Sequence, residues 1–213
     1  MNLTLTLTLT WLSISAEYEN QVKSAISQAE ISGFRKGKAP RDLVEPKLDK
    51  QTLYSRCIEA LLPKAYANEI KAKNLKPILY PKIKIIKGEV GEDWQLEAIT
   101  CETPKVTLGD YLAKIKEVKT DKPEDRLSAV LKVLQDTSKV DLPPILIEEE
   151  ISHRLANLTD NLTKLGMTTE SYLAAKKTTA DGLKQTISQE ASQDLTMHFI
   201  IQEAGGLDYL KTL

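Results

Sequence analysis

Leu3-Thr4-Leu5-Thr6-Leu7-Thr8-Leu9-Thr10-Trp11-Leu12-Ser13-Ile14 begins with strict alternation of apolar and hydroxyl side chains. Successive strand residues point to opposite faces. Leu3, Leu5, Leu7, Leu9 and Trp11 therefore share one face, and Thr4, Thr6, Thr8 and Thr10 the other. The stretch predicts a strand with one buried face. At Leu12 and Ile14 the apolar parity switches, which a bulge or a strand end buried on both faces would explain. A one-residue slip would turn every leucine outward, so other elements must fix the register of this strand and protect its edges.

Downstream, Ser15 is placed to cap a helix. Tyr18, Val22, Ala25, Ile26 and Ala29 follow at helical spacing, and the helix is predicted to stop near Ser32-Gly33. Gly33 to Pro40 reads as a loop from its glycines and terminal proline. Helix resumes from about Arg41, with Leu53, Cys57, Leu61 and Ala65 on one stripe and Ile70 beyond. Pro63 lies inside that pattern and predicts a kink or a split. Ile83 and Ile85 alternate with lysines, Gly88 and Gly91 suggest a turn, and Trp94, Leu96, Ala98 and Thr100 alternate again, which together predict a β-hairpin. With the first strand this makes a three-stranded antiparallel sheet covered by helices, an α+β domain over residues 1–118.

Residues 119–140 read as a linker with a short helix. Lys119 to Asp125 is polar, and Leu127, Val130, Leu131 and Leu134 form a brief stripe. From Asp141 to residue 213 the pattern is all-α. Asp141-Leu142-Pro143-Pro144 reads as a helix start. Ile147, Ile151, Leu155, Leu158, Leu162 and Leu165 then mark the seam of a long amphipathic helix that Gly166 ends. A short helix is predicted around Thr169–Ala175. Thr178 with Asp181 resembles a capping box for a last helix, whose apolar face is Leu183, Ile187, Ala191, Leu195 and Phe199. Gly205-Gly206 ends it and leaves a short tail.

Composition narrows the function classes. Of 213 residues, 41% are hydrophobic and 28% charged, the balance of a folded chain, and with only 5% aromatic residues the cores must be aliphatic. Residues 1–118 carry 18 Lys+Arg against 15 Asp+Glu, and the rest carry 11 against 15, so the net charge of −1 conceals a basic part and an acidic part. Cys57 and Cys101 form no CxxC pair and no disulfide framework, which predicts two reduced thiols. No run approaches the roughly 20 apolar residues of a membrane span. The start of the chain lacks the basic and apolar regions of a signal peptide, so the expected location is the cytoplasm. His153 and His198 belong to no metal-ligand spacing, and no nucleotide-binding motif is present. The Glu148-Glu149-Glu150 run suits the first turns of a helix better than an acid–base pair. The expectation is a protein that is not an enzyme and needs neither cofactor nor metal.

Chemistry concentrates in Gly33-Phe34-Arg35-Lys36-Gly37-Lys38-Ala39-Pro40. Three cations fall within four residues, flanked by glycines that let the backbone approach a surface closely. Arginine offers a fork for phosphate and lysine a point charge. Phe34 can stack on a base or fill an apolar pocket. Arg41, Lys47 and Lys50 extend the basic character, partly offset by Asp42, Glu45 and Asp49. On charge alone a solvated turn is the commoner reading; the sharper one is a basic tip suited to a phosphate-bearing surface.

The eight residues closely resemble the signature loop GFRxGKxP of the trigger factor family. The surrounding order of strand, helix, signature, long helix and hairpin resembles that family's ribosome-binding domain. Pro104–Tyr111 (PKVTLGDY) is similar to the end of that domain, and Asp141–Ile151 (DLPPILIEEEI) to the start of the family's helical chaperone domain. The resemblance spans residues from about 10 to 205. It implies an ATP-independent chaperone that docks on the large ribosomal subunit, on protein and RNA near the exit tunnel, and shields nascent chains during folding. Phe34, Arg35 and Lys36 would be the main ribosome contacts, Gly33 and Gly37 would shape the loop, and Lys38 would add charge. The chain departs from the family where an FKBP-like prolyl-isomerase domain is usually inserted. About twenty residues separate Val118 from Asp141, too few for a domain. The helical part is also shorter than the family's, which implies a smaller cradle for clients. The alternative is a ribosome- or RNA-binding module whose helical half serves assembly or homodimerisation.

Overall fold

Leu5, Leu7 and Leu9 are buried, while Thr4, Thr6 and Thr8 between them are exposed. Each buried leucine contributes about 1.5–3 kcal/mol relative to exposure, which locks the register of strand β1 (Asn2–Leu9). The computed structural model describes residues 1–118 and 123–206. These divide into two compact units, one of Leu3–Thr100 and one of Met1–Asn2 with the described residues from Cys101 onward.

In the first unit, β1 does not continue through the parity switch. Thr10 is an N-cap whose hydroxyl accepts from the Ser13 N–H, and helix α1 (Trp11–Gln28) begins at once. The Asp93 carboxylate accepts the Trp11 N–H at 2.7 Å and ties the start of the helix to the end of the hairpin turn. The switch at Leu12 and Ile14 is therefore a helix start, and neither a bulge nor the Ser15 cap is found. Period two gives way to helical period, so Ile14 turns into the core while Leu12 is 80% exposed. Helix α1 ends at Gln28, ahead of the expected Ser32-Gly33.

Arg41–Val44 forms a short helix, α2, followed by a 3-10 turn at Glu45–Lys47. Asp49 then caps α3 (Lys50–Ala72), accepting the Gln51 and Thr52 N–H groups at 3.1 and 3.3 Å. Pro63 lies within α3 and does not split it. Proline forfeits only one helical hydrogen bond, and Leu61, Leu62, Ala65, Tyr66 and Ile70 hold that stretch of helix against the core. Strands β2 (Lys82–Lys87) and β3 (Trp94–Cys101) form the expected hairpin, in the order β1-β3-β2 of an antiparallel sheet. Trp94, Leu96 and Ala98 of the central strand meet Leu5, Leu7, Leu9 and Ile14 in the core. Tyr18, Tyr54 and Trp94 form a row of rings with centroids 4.9 and 5.3 Å apart, linking α1, α3 and the sheet. Thr100 is fully buried, and its hydroxyl donates to the Leu79 carbonyl at 2.9 Å.

In the second unit, β4 (Val106–Thr107) and β5 (Lys139–Val140) pair antiparallel, Val106 opposite Val140 and Thr107 opposite Lys139. This ribbon was not expected, because two residues are too few to show a period. Between its strands run α4 (Tyr111–Glu117) and α5 (Pro123–Thr137). Of the expected linker 119–125, residues 119–122 lie outside the described residues and 123–125 begin α5. Ile115, Val130 and Leu134 bury against Ile200 and Ala204 of the last helix and its cap.

Helix α6 (Pro144–Lys164) starts at Pro144 and ends before Gly166, which has φ +67°. Ile145, Leu146 and Leu162 are its buried residues; Ile147, Ile151, Leu155 and Leu158 are half-buried, and Leu165 is 72% exposed. Thr168 caps α7 (Thr169–Lys176). Thr179, not Thr178, caps α8 (Ala180–Glu203), accepting the Gly182 N–H at 3.1 Å. Ile187, Ala191 and Phe199 are buried as expected, joined by Ile200. Gly205 and Gly206, both at positive φ, end the helix, and the expected tail from 207 lies outside the described residues. Arg154 pins α6 to α8, donating to Glu150 at 2.6 Å and to Asp194 at 2.8 Å.

Candidate functional site

Two turns in tandem build the segment between α1 and α2. In the first, the Phe34 N–H donates to the Ile31 carbonyl at 3.0 Å; in the second, the Lys38 N–H donates to the Arg35 carbonyl at 2.9 Å. Gly33 and Gly37 hold the third position of each turn, with φ +88° and +73°, where a left-handed residue is required in turns of this class. The spacing of the two glycines follows directly: one four-residue turn succeeds another. A longer bond closes the neck, the Gly37 N–H donating to the Ala29 carbonyl at 3.1 Å. Gly37 is constrained twice, because an added β-carbon would also lie 2.5 Å from the Ser27 carbonyl oxygen.

The structure brings all six expected residues together. Phe34 is 43% exposed, and Arg35, Lys36 and Lys38 are exposed beside it. Lys36 Nζ lies 3.2 Å from Glu30 Oε1, but both side chains are mostly in solvent, so the pair costs little to break. Arg35 and Lys38 have no acidic partner among the described residues. Ala39 is buried and anchors the far side of the loop. The result is a solvent-facing tip with one aromatic ring and three cations on a braced backbone.

Arg41 is different. Its guanidinium donates to Glu19 of α1 at 2.7 and 2.9 Å and to Glu45 at 2.5 and 3.2 Å. It clamps the base of the loop and does not extend the basic tip as the sequence suggested. The hydrogen bonds from Arg41 hold both carboxyls below the usual glutamate range, and raise the arginine in turn. The i,i+4 spacing of Arg41 and Glu45 was a usable signal for half of this clamp. Glu19, 22 residues earlier, gave none.

The helical unit offers a second feature, a cavity of about 400 Å³ lined by Leu158, Tyr172, Leu183 and Ile187, with Arg154 and Lys176 among its polar groups. His153 and His198 are both exposed. No group of three or more His, Cys, Asp or Glu among the described residues could hold a metal. No helix of the described residues is long and apolar enough to cross a membrane. Burial raises the thiols of Cys57 and Cys101, which are both free.

Comparison with known proteins places the chain as a whole. Residues 1–137 match the family described as bacterial trigger factor protein, and residues 107–206 match the bacterial trigger factor C-terminus. Trigger factors of Staphylococcus aureus strains JH9 and Newman are each 31% identical over 147 residues, covering 68% of this chain and 33% of theirs. The chain thus spans about a third of the length of these relatives. A solved chain, from a study of promiscuous substrate recognition in folding and assembly by the trigger factor chaperone, aligns over 62% of this chain and 30% of its own, at 23% identity and a TM-score of 0.41. Since the first family match alone takes in residues 1–137 of 213, this chain belongs to the trigger factor family.

Proposed function

We propose that the chain is an ATP-independent chaperone that docks through Gly33–Lys38 on the large ribosomal subunit beside the nascent-chain exit. The observation that carries this reading is the tandem turn, which presents Phe34, Arg35, Lys36 and Lys38 together in solvent while Arg41 clamps its base. The cations suit RNA phosphates and the ring suits a base or an apolar pocket, a pairing that favours a ribonucleoprotein surface. Clients are unfolded nascent polypeptides, held weakly on apolar surface of the helical unit such as the cavity between α6, α7 and α8. The setting is the cytoplasm, where translation supplies both partners.

Prolyl isomerisation is not part of the proposal. The N-terminal and C-terminal family matches overlap over residues 107–137, so no stretch between them is left for a further domain. A chemically unfolded client diluted into buffer tests the chaperone half. Micromolar protein is expected to suppress light scattering from aggregation without ATP. Unchanged scattering would reject the chaperone activity and leave a ribosome-binding module.

A further inference from the structure

The core face of the first unit runs out beneath β2. Ile83 and Ile85 lie opposite Ala98 and Leu96, two residues with no exposed surface, and cross-strand partners share a face. Yet Ile83 is only half-buried and Ile85 is 52% exposed. The register shifts between Ile85 and Lys87, and the extra residue, Ile86, is 55% exposed. In the order β1-β3-β2, β2 is an edge strand, whose outer row of N–H and C=O groups can template another strand.

The segment leading into β2 adds an anchor. Tyr66, Pro77, Ile78, Leu79, Tyr80 and Pro81 line a cavity of about 340 Å³. The Tyr66 hydroxyl is buried there without a hydrogen-bond partner among the described residues, and Tyr80 is 98% exposed. A buried hydroxyl left unpaired is costly, and a backbone carbonyl arriving in the cavity would satisfy it.

We infer that the outer edge of β2 binds an extended polypeptide segment by strand addition, and that the preferred segment alternates apolar and acidic residues. The edge demands an extended backbone as its partner. Ile83 and Ile85 select apolar residues on the core-facing side. The other side selects charge: β2 reads Lys-Ile-Lys-Ile-Ile-Lys, with three lysines and no acidic residue. Lys87 is paired with Glu92 and Lys82 is also engaged, so selection falls on Lys84, which stands opposite Glu97 of β3. The same lysines disfavour a second copy, because pairing β2 with itself would set like charges side by side. The inference rests on the chaperone reading only for the source of the segment, an unfolded chain.

The test uses the whole chain and a labelled ten-residue peptide of alternating Val and Glu, followed by fluorescence anisotropy. Binding is expected in the micromolar range. A shuffled peptide of the same composition, and one with N-methyl groups on alternate residues, should each bind at least tenfold more weakly. Ile85→Lys and Lys84→Glu should each weaken the alternating peptide at least tenfold with the thermal melt unchanged. Equal binding of the shuffled or N-methylated peptide would overturn strand addition, and equal binding by folded Ile85→Lys would overturn the location. If Ile85→Lys fails to fold, Tyr80→Ala, at a solvent position, stands in, with at least a threefold loss expected and unchanged binding counting against the site. Ribosome co-sedimentation of these β2 variants should match wild type, so failure here is separable from failure of the docking loop.

Discussion

Gly37 sits against Ser27 so closely that a β-carbon would lie 2.5 Å from the Ser27 carbonyl oxygen, at a backbone φ of +73°. Gly33, four residues earlier with φ +88°, has nothing within 4 Å of its own missing β-carbon. The two glycines therefore predict different outcomes. Gly33→Ala carries only the cost of a left-handed alanine, about 1 kcal/mol, and keeps the loop. Gly37→Ala adds a steric clash with backbone and breaks the Gly37–Ala29 hydrogen bond that closes the neck. Hydrogen exchange checks this: the residue 37 amide should lose protection in Gly37→Ala and retain it in Gly33→Ala.

The Arg41 clamp gives the loop a pH dependence. Hydrogen bonds from Arg41 depress the folded-state values of Glu19 and Glu45 below the usual 4.5. A depressed carboxyl stabilises the fold above its unfolded value, and that contribution disappears as the pH falls through the depressed value. Arg41 stays charged throughout. Arg41→Gln should therefore be less stable than wild type in urea at neutral pH. The two curves should converge in acid, once the pH has fallen below the depressed values of the two carboxyls. A gap that persists unchanged in acid would contradict the clamp.

The proposed docking through phosphates carries a salt signature. Each cation that pairs with an RNA phosphate releases counterions, so the slope of log affinity against log salt should flatten by about 0.7–0.9 for each one removed. Arg35→Ala, Lys36→Ala and Lys38→Ala should each flatten it by up to that amount. Arg41→Gln should not, because its guanidinium already faces Glu19 and Glu45. Ribosome affinity measured from low to high salt separates these cases.

What could be read from the sequence divides along physical lines. Periods of two and 3.6 revealed the sheet, the long helices and nearly every buried residue of β1 and β3. Thr10 was hidden in its own repeat: one more threonine in an alternating run gives no sign that it caps a helix, so Trp11–Ile14 read as strand. The ribbon of Val106–Thr107 with Lys139–Val140 and the pairing of Arg41 with Glu19 join residues distant in sequence, and local pattern carries no signal for either. The loop after α1 was legible as a loop because its constraint is local, two glycines each at the third position of a four-residue turn. The uncovered edge at Ile85 was not, since its alternation looks the same whether or not helices reach far enough to cover it.

The central claim is that the tandem turn docks on the ribosome, and the most direct measurement is the affinity of purified large subunits for wild type and for the Phe34→Ala/Arg35→Ala/Lys36→Ala variant. All three side chains point to solvent, so the variant should keep the wild-type melting curve. The account predicts that wild type co-sediments with the subunits at micromolar concentration and that the folded variant stays in the supernatant. Co-sedimentation of the variant at the wild-type level would contradict it.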